Sequence, residues 1–288
     1  MVAKNAFLNG ISLAYDEVGA GPAVLLVHGF PLNRQMWRPQ MAILVAAGYR
    51  VIAPDLRGFG GSDVSDGPCD MDLLADDLLE LLDHLGIDQA VVVGMSMGGY
   101  LLFNLLERYP QRVSAAVFAV TRSVADDEAG RARRKQLADQ VIRFGPQVVA
   151  DSFQELLFAP DTVVDRPRLA AEVYGWMVAT ASQGLAAGLL AMKQRRDATP
   201  LLQAITVPCL SIGADQDRAC PLEHPRMIAA GIPGCRLCII PGAGHMANLE
   251  QPGDFNRVLL TFLREIVPTP LNLPGLVCDC SSDHSSGV

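Results

Sequence analysis

Short runs of aliphatic and β-branched residues alternate along this chain with longer segments whose apolar positions recur at helical spacing. Phe7-Leu8 and Ile11 to Tyr15 flank Asn9-Gly10, and that dipeptide between two apolar runs predicts a β-hairpin. Ala23 to Val27 is apolar throughout, as a strand buried on both faces of a sheet must be. Arg50 to Ala53, Ala90 to Val93, Val113 to Ala119, Val207 to Ile212 and Arg236 to Ile240 repeat the type. Asp70 predicts the N-cap of a helix carrying Leu74, Leu78, Leu81, Leu82 and Leu85, which Gly86 ends. A second helix, Met97 to Arg108, stops at Tyr109-Pro110. Such alternation predicts an α/β fold, a mostly parallel sheet covered by helices.

Between 121 and 204 the alternation stops. Arg131 to Phe144, Gln147 to Phe158, Arg168 to Thr180 and Gln183 to Arg195 read as helices, punctuated by Pro146, Pro160, Pro167 and Pro200. An all-helical insert inside a β/α chain predicts a lid over the end of the sheet. The expected organisation is a core of 1–120 and 205–268, a helical cap of 121–204, and a loosely ordered tail of 269–288 that lacks a periodic apolar face. No internal repeat is visible.

Composition narrows the class. With 23 basic against 31 acidic residues the net charge is −8, and no long basic run occurs, so neither nucleic acid nor an anionic membrane is expected as a partner. The first residues, Met1-Val2-Ala3-Lys4-Asn5, open no apolar run of signal-peptide type, and no stretch is apolar for long enough to span a bilayer. The seven cysteines (69, 209, 220, 235, 238, 278 and 280) are scattered, odd in number, and read as reduced thiols, which predicts a cytoplasmic protein. Cys235 and Cys238 have CxxC spacing but sit in a strand-like run, without a second ligand pair at zinc-site spacing.

The strongest chemical signal is Gly94-Met95-Ser96-Met97-Gly98, directly after a predicted strand and directly before a helix. A serine in a tight strand-to-helix turn needs small neighbours, and the two glycines supply that room. The turn lifts the hydroxyl off the sheet and places it at a helix N-terminus, where developing negative charge is favoured. The same glycines form neither a dinucleotide fingerprint nor a Walker motif, so nucleotide binding is not expected.

A serine hydroxyl needs a base to take its proton. Of five histidines, His84 lies in a helical pattern, His284 in the tail, and His224 at the predicted surface. His28 and His245 both follow a predicted strand, where open α/β sheets place their sites. His245, after Gly242-Ala-Gly and before a helix, is assigned as the base. His28 belongs to Val27-His28-Gly29-Phe30-Pro31, whose glycine lets the chain turn so that a backbone N–H points at substrate. The expected oxyanion donors are the N–H groups of Phe30 and Met97, with His28 supporting the loop and His28, Gly29 and Met95 counted with the substrate-binding residues. The histidine needs a buried acid, and Gly213-Ala-Asp215-Gln-Asp217-Arg-Ala-Cys-Pro221 offers both Asp215 and Asp217.

Together, His28-Gly-Phe-Pro, Asp55-Leu-Arg-Gly-Phe-Gly-Gly-Ser62, Gly94-Met-Ser-Met-Gly-Gly99, Arg196-Asp197 before Val207-Pro208, and Gly242-Ala-Gly-His245 resemble the α/β-hydrolase superfamily from Phe7 to about Val267. The likeness is to small esterases, enol-lactonases of the 3-oxoadipate type and cofactor-free haloperoxidases. It implies an eight-stranded sheet, a cap between strands six and seven, and a Ser96, Asp217, His245 triad. Asp217 is preferred because relatives place the acid four residues before a proline, although they also place it three residues after the glycine and here the step is four. Epoxide hydrolases and haloalkane dehalogenases carry an aspartate at the elbow, against which Ser96 speaks. Asp55 and Arg57 read as structural.

The expected chemistry is hydrolysis of a small ester or lactone through an acyl-enzyme, without cofactor or metal, by a monomer or homodimer. The apolar cap residues predict an apolar pocket floored by Phe30, Met95 and Met97. Perhydrolysis by the same residues, and a ligand sensor of slow turnover, are the rival readings.

Overall fold

Asn9 and Gly10 both adopt positive φ, 44° and 78°, and close the tight turn between strands β1 (Lys4–Leu8) and β2 (Ile11–Val18). This computed structural model describes residues 3–65 and 67–267; the expected tail lies outside the described residues, with Cys278, Cys280 and His284. The chain continues through β3 (Ala23–Val27), α1 (Arg38–Ala46), β4 (Arg50–Pro54), α2 (Met71–His84), β5 (Ala90–Met95), α3 (Met97–Arg108) and β6 (Val113–Ala119). Five helices follow without a strand: α4 (Glu128–Phe144), α5 (Gln147–Leu157), α6 (Pro160–Asp165), α7 (Pro167–Val178) and α8 (Ser182–Gln194). Then come β7 (Cys209–Ala214), α9 (Glu223–Gly231), β8 (Arg236–Ile240), α10 (Ala247–Glu250) and α11 (Pro252–Ile266).

Among the described residues the strands form one eight-stranded sheet in the order β1-β2-β4-β3-β5-β6-β7-β8. The hairpin joins antiparallel at one edge, and every pair from β4 to β8 is parallel. Side chains of one strand alternate between two cores. Val24, Leu26, Val91 and Val93 pack on the face covered by α1 and α11, whereas Leu25, Val27 and Val92 pack on the face covered by α2 and α3. This is why the central strands read as unbroken apolar runs.

Asp70 caps α2 as expected, its Oδ1 accepting from Leu73 N–H at 2.8 Å. Strand β7 begins at Cys209, two residues after its predicted start, because Pro208 has no N–H for the ladder. Helix α6 and helix α11 are not among the elements expected above, although Phe255, Leu259, Phe262 and Leu263 bury one stripe of α11 at helical spacing.

The loop from Asp55 to Ser62 follows β4. Asp55 accepts from the N–H of Arg34 (2.7 Å) and of Gly61 (2.7 Å), and pairs with the Arg34 guanidinium. Arg57 makes a buried, two-pronged pair with Asp77 of α2 at 2.8 and 2.7 Å. Both residues therefore shape the loop, as expected. Helix α8 lies directly on it: a Cβ at Gly184 would stand 1.9 Å from the carbonyl oxygen of Gly58.

Candidate active site

Ser96 stands between the last residue of β5 and the first of α3, with φ 53° and ψ −112°. Positive φ is rare for a serine and marks a strained turn. Its backbone is held on three sides: the N–H donates to Ala119 O (3.0 Å), and the carbonyl accepts from Thr121 Oγ1 (2.7 Å) and Gly99 N–H (2.9 Å). The flanking glycines are required by contact as well as by turn. A Cβ at Gly94 would lie 2.4 Å from Gly98 O, and one at Gly98 would lie 2.3 Å from Val27 O. Gly98→Ala is therefore expected to wedge α3 off β3, destabilising the fold by about 3 kcal/mol in urea unfolding. An unchanged midpoint would contradict this packing.

The two candidate acids separate cleanly. Asp217 Oδ2 meets His245 Nδ1 at 2.7 Å, while its Oδ1 accepts from Ala219 and Cys220 N–H, both at 2.8 Å. The carboxylate is sealed from solvent and the His245 ring nearly so. Asp215 is exposed and instead accepts from Gly242 N–H at 2.8 Å, closing the loop that carries His245. A carboxylate at Nδ1 keeps the proton on that nitrogen and leaves Nε2 as the basic position.

A residue absent from the sequence expectations steadies the same loop. Glu250, buried at the end of α10, accepts from Gly244 N–H (2.9 Å) on one oxygen, and from Ala159 N–H (2.8 Å) and Thr162 Oγ1 (2.7 Å) on the other. Burial pushes its carboxyl up, against the opposing pull of these hydrogen bonds. A folded pKa above the unfolded one favours folding most at pH below the ordinary carboxylate range, and that contribution is lost as pH rises through the raised value. Glu250→Gln leaves one backbone N–H facing an amide donor, whichever way the amide turns. It is expected to cost about 1–3 kcal/mol, each kcal/mol lowering Tm by roughly 2–4 °C, and to reduce kcat as the His245 loop loosens. A variant with wild-type Tm and kcat would remove Glu250 from this role.

His28 is fully buried and lines neither cavity described below, which corrects its placement among the substrate-binding residues. Its Nε2 accepts from Leu56 N–H at 2.9 Å, so Nδ1 carries the proton and donates to Gly29 O at 2.9 Å. Burial holds its pKa down, which suits a neutral ring. The ring thus ties the β3 loop to the β4 loop, as its supporting role requires. Gly29 approaches Ser96 so closely that a Cβ there would lie 3.1 Å from the serine Cβ. Met97 N–H is the first of α3, one of the amides a helix leaves without an internal acceptor.

Ser96 and His245 line one cavity of about 380 Å³. Phe30 lines it too, its ring edge-on to Phe59 and Phe153 with centroids 5.9 and 5.3 Å apart. Met95 and Met97 do not form its floor as expected, because their side chains turn into the two cores on opposite faces of the sheet. Nor is the wall wholly apolar. Helices α4, α5 and α8 contribute Leu137, Phe153, Leu156, Leu189 and Met192, but four arginines line the cavity with them.

Ser152 and Cys220 also line this wall, the serine Oγ donating to Val148 O at 2.6 Å. The cysteine is not activated either. Burial pushes its thiol up, and Sγ donates to Thr121 O at 3.1 Å, so it stays protonated. His224, expected at the surface, lies in α9 with its ring largely covered. Among the described residues no cluster of three His, Cys, Asp or Glu side chains could hold a metal ion. A second cavity of about 400 Å³ shares Tyr100 and Arg122 with the first but holds neither Ser96 nor His245.

Comparison with known proteins identifies the fold family. The family model described as alpha/beta hydrolase fold matches residues 22–252. The chain is similar to 3-oxoadipate enol-lactonase 2 of Acinetobacter baylyi, 29% identical with 86% of this chain and 92% of that protein covered. Among solved structures, a thermophilic esterase from Thermogutta terrifontis superposes with a TM-score of 0.89 at 34% identity, covering 93% of this chain and all of that one. A bromoperoxidase from Bacillus anthracis superposes with a TM-score of 0.82 at 27% identity, covering 91% of this chain and 100% of that one.

Proposed function

Since this chain belongs to the α/β-hydrolase fold family, we propose that it is a serine hydrolase that cleaves short- to medium-chain carboxylic esters through an acyl-enzyme. Ser96 is the nucleophile, His245 the general base and Asp217 the acid that orients it. The observation that carries this reading is the buried 2.7 Å bond between Asp217 and His245, on the wall of the cavity that Ser96 also lines.

As Ser96 Oγ adds to the ester carbonyl, His245 Nε2 takes the hydroxyl proton. The N–H groups of Phe30 and Met97 donate to the oxyanion that forms, which needs no reorganisation because both belong to fixed backbone. The C–O bond to the alcohol then breaks, and His245 returns the proton to the leaving oxygen. Water enters, loses a proton to His245, attacks the acyl carbonyl and frees Ser96. Residues 121–204 act as the cap that closes the cavity over a core of 1–120 and 205–268. The free thiols of Cys69, Cys209, Cys220 and Cys235, all among the described residues, suit a reducing, cytoplasmic setting.

The likeness to an enol-lactonase favours a second substrate form, since a lactone is an internal ester opened by the same steps. Hydrogen peroxide in place of water would give a peracid, and the likeness to a bromoperoxidase keeps that outcome in the assay.

Rapid mixing with 4-nitrophenyl butyrate, acid quenching and mass analysis test the reading directly. One butyryl group is expected on the peptide that carries Ser96, alongside sustained release of nitrophenol. A single burst without turnover would instead mark a ligand sensor, and turnover without the adduct would sink the acyl-enzyme.

A further inference from the structure

The two cavities follow one another along the same three segments of the chain. On α3, Ser96 and Tyr100 line the first, and Tyr100, Phe103, Asn104 and Glu107 line the second. Past β6 the first takes Val120 and Arg122, the second Arg122 and Ser123. At α8 the first takes Leu189 and Met192, the second Ala191, Gln194 and, just beyond the helix, Arg195. The cavities are therefore successive stretches of one trench. Among the described residues Tyr100 and Arg122 line both, so they stand where the trench is interrupted.

Tyr100 is built as a wall. It lies one helical turn beyond Ser96, on the same face of α3, and its N–H donates to Ser96 O at 3.3 Å. Across the trench Arg195 lays its guanidinium over the ring, 4.3 Å from the centroid. That guanidinium is buried and fixed by the carbonyls of Met192 (2.9 Å) and Val124 (3.1 Å) and by Asp126 (2.8 Å). Asp126 also holds Arg134, so the plate pressing on Tyr100 is anchored to α4 as well. A desolvated cation over an aromatic face is a favourable pair, which keeps the ring where it is. Arg122 completes the barrier, one Nη donating to the Ala219 carbonyl.

The position of the wall sets a length. At the helical rise, Tyr100 stands about 6 Å along α3 from Ser96, close to the reach of a butyryl chain. Glu107, in the second cavity, lies roughly 10 Å further on. Directly behind Tyr100 that cavity is apolar, with Phe103 and Ala191 on its wall. Its charges are paired, since Arg196 meets Asp72 at 3.0 Å and Glu107 at 2.9 Å. Room for a longer hydrocarbon group exists, but on the far side of the ring.

We infer that Tyr100, clamped by Arg195, is the stop that limits how far an ester extends along α3, and so the residue that sets chain-length selectivity. The inference deepens the proposed ester hydrolysis and rests on it. Tyr100 takes no part in proton transfer; it acts by occupying space.

The test uses two series: 4-nitrophenyl butyrate against octanoate, and butyl acetate against octyl acetate followed by acid release. The wild type is expected to favour the short member in at least one series, by at least about tenfold in kcat/KM. Tyr100→Ala joins the cavities and is expected to raise the long-to-short ratio in that series by at least about tenfold. The series that responds names the half of the ester lying along α3. Tyr100→Phe keeps the ring under Arg195 and is expected to keep the wild-type ratio. If the alanine variant fails to fold, Tyr100→Leu repeats the test, and the same direction of change is expected. A wild type that prefers the long member in both series would overturn the proposal. So would a variant that loses long and short esters by one factor, or a Tyr100→Phe ratio that moves as far as the alanine one. Should no ester turn over, the hydrolase reading itself fails. A crystal structure of Tyr100→Ala then tests the partition alone: one continuous cavity from Ser96 to Glu107 supports it, and two divided cavities overturn it.

Discussion

Ser96→Ala is expected to lower kcat for a butyrate ester by on the order of 10⁵–10⁶ without lowering Tm. The two halves of that result have different causes. Catalysis is lost because the other serine and the cysteine on the cavity wall are not activated: Ser152 Oγ donates to Val148 O, and Cys220 stays protonated and donates to Thr121 O. Stability is kept because the strained turn is held by backbone bonds to Ala119 and Thr121 and by the room at Gly94 and Gly98, none of which uses the hydroxyl. His245→Ala should cost about as much, and the double variant no more than either, since the groups act as a unit. Rates from steady-state assay and midpoints from thermal unfolding check both halves. Activity within tenfold of wild type in Ser96→Ala would sink the proposed mechanism.

Asp217→Asn should lower kcat by roughly 10⁴-fold, whereas Asp215→Asn should change it only a few-fold. The size follows from the donors around Asp217. Its Oδ1 accepts two backbone N–H groups, from Ala219 and Cys220. An asparagine must keep its single carbonyl oxygen there, because an NH₂ would face both donors. The amide nitrogen then points at His245 Nδ1, which must accept and so surrender its proton to Nε2. The ring remains in place as the wrong tautomer, with no lone pair for Ser96. Asp215 makes its bond to Gly242 N–H from an exposed position, so its loss is softened by water. Nitrogen NMR of the His245 ring would report the tautomer independently of rate. A retained Nδ1 proton in Asp217→Asn would contradict the argument.

The elbow was legible in the sequence because its cause is local: a serine at positive φ needs small residues two positions to either side, and Gly94 and Gly98 stand there. The central strands were legible for a similar reason, since burial on both faces removes polar positions. Choosing between Asp215 and Asp217 was harder. Both follow the same strand, and only the direction each side chain takes after Ala214 decides which meets His245. His28 illustrates the limit in reverse: a histidine after a strand end is near the site, but its ring turned away to Leu56. Arg122 and Glu250 were beyond reach for a physical reason. An arginine after a strand, or a glutamate before Gln251-Pro252, reads as a solvated charge until α4, α5 and α6 close over it.

Glu250 also constrains how this enzyme could change over time. One carboxylate fastens the start of α6 and the turn before His245, so these two regions form a single mechanical unit. Reshaping α6 to admit a different substrate would shift the base along with the wall. Selectivity and speed are coupled at that corner, while α4 and α8, fastened to each other through Asp126, offer a wall that can be rebuilt without touching the proton path. Divergence toward new substrates is expected to run through those two helices first.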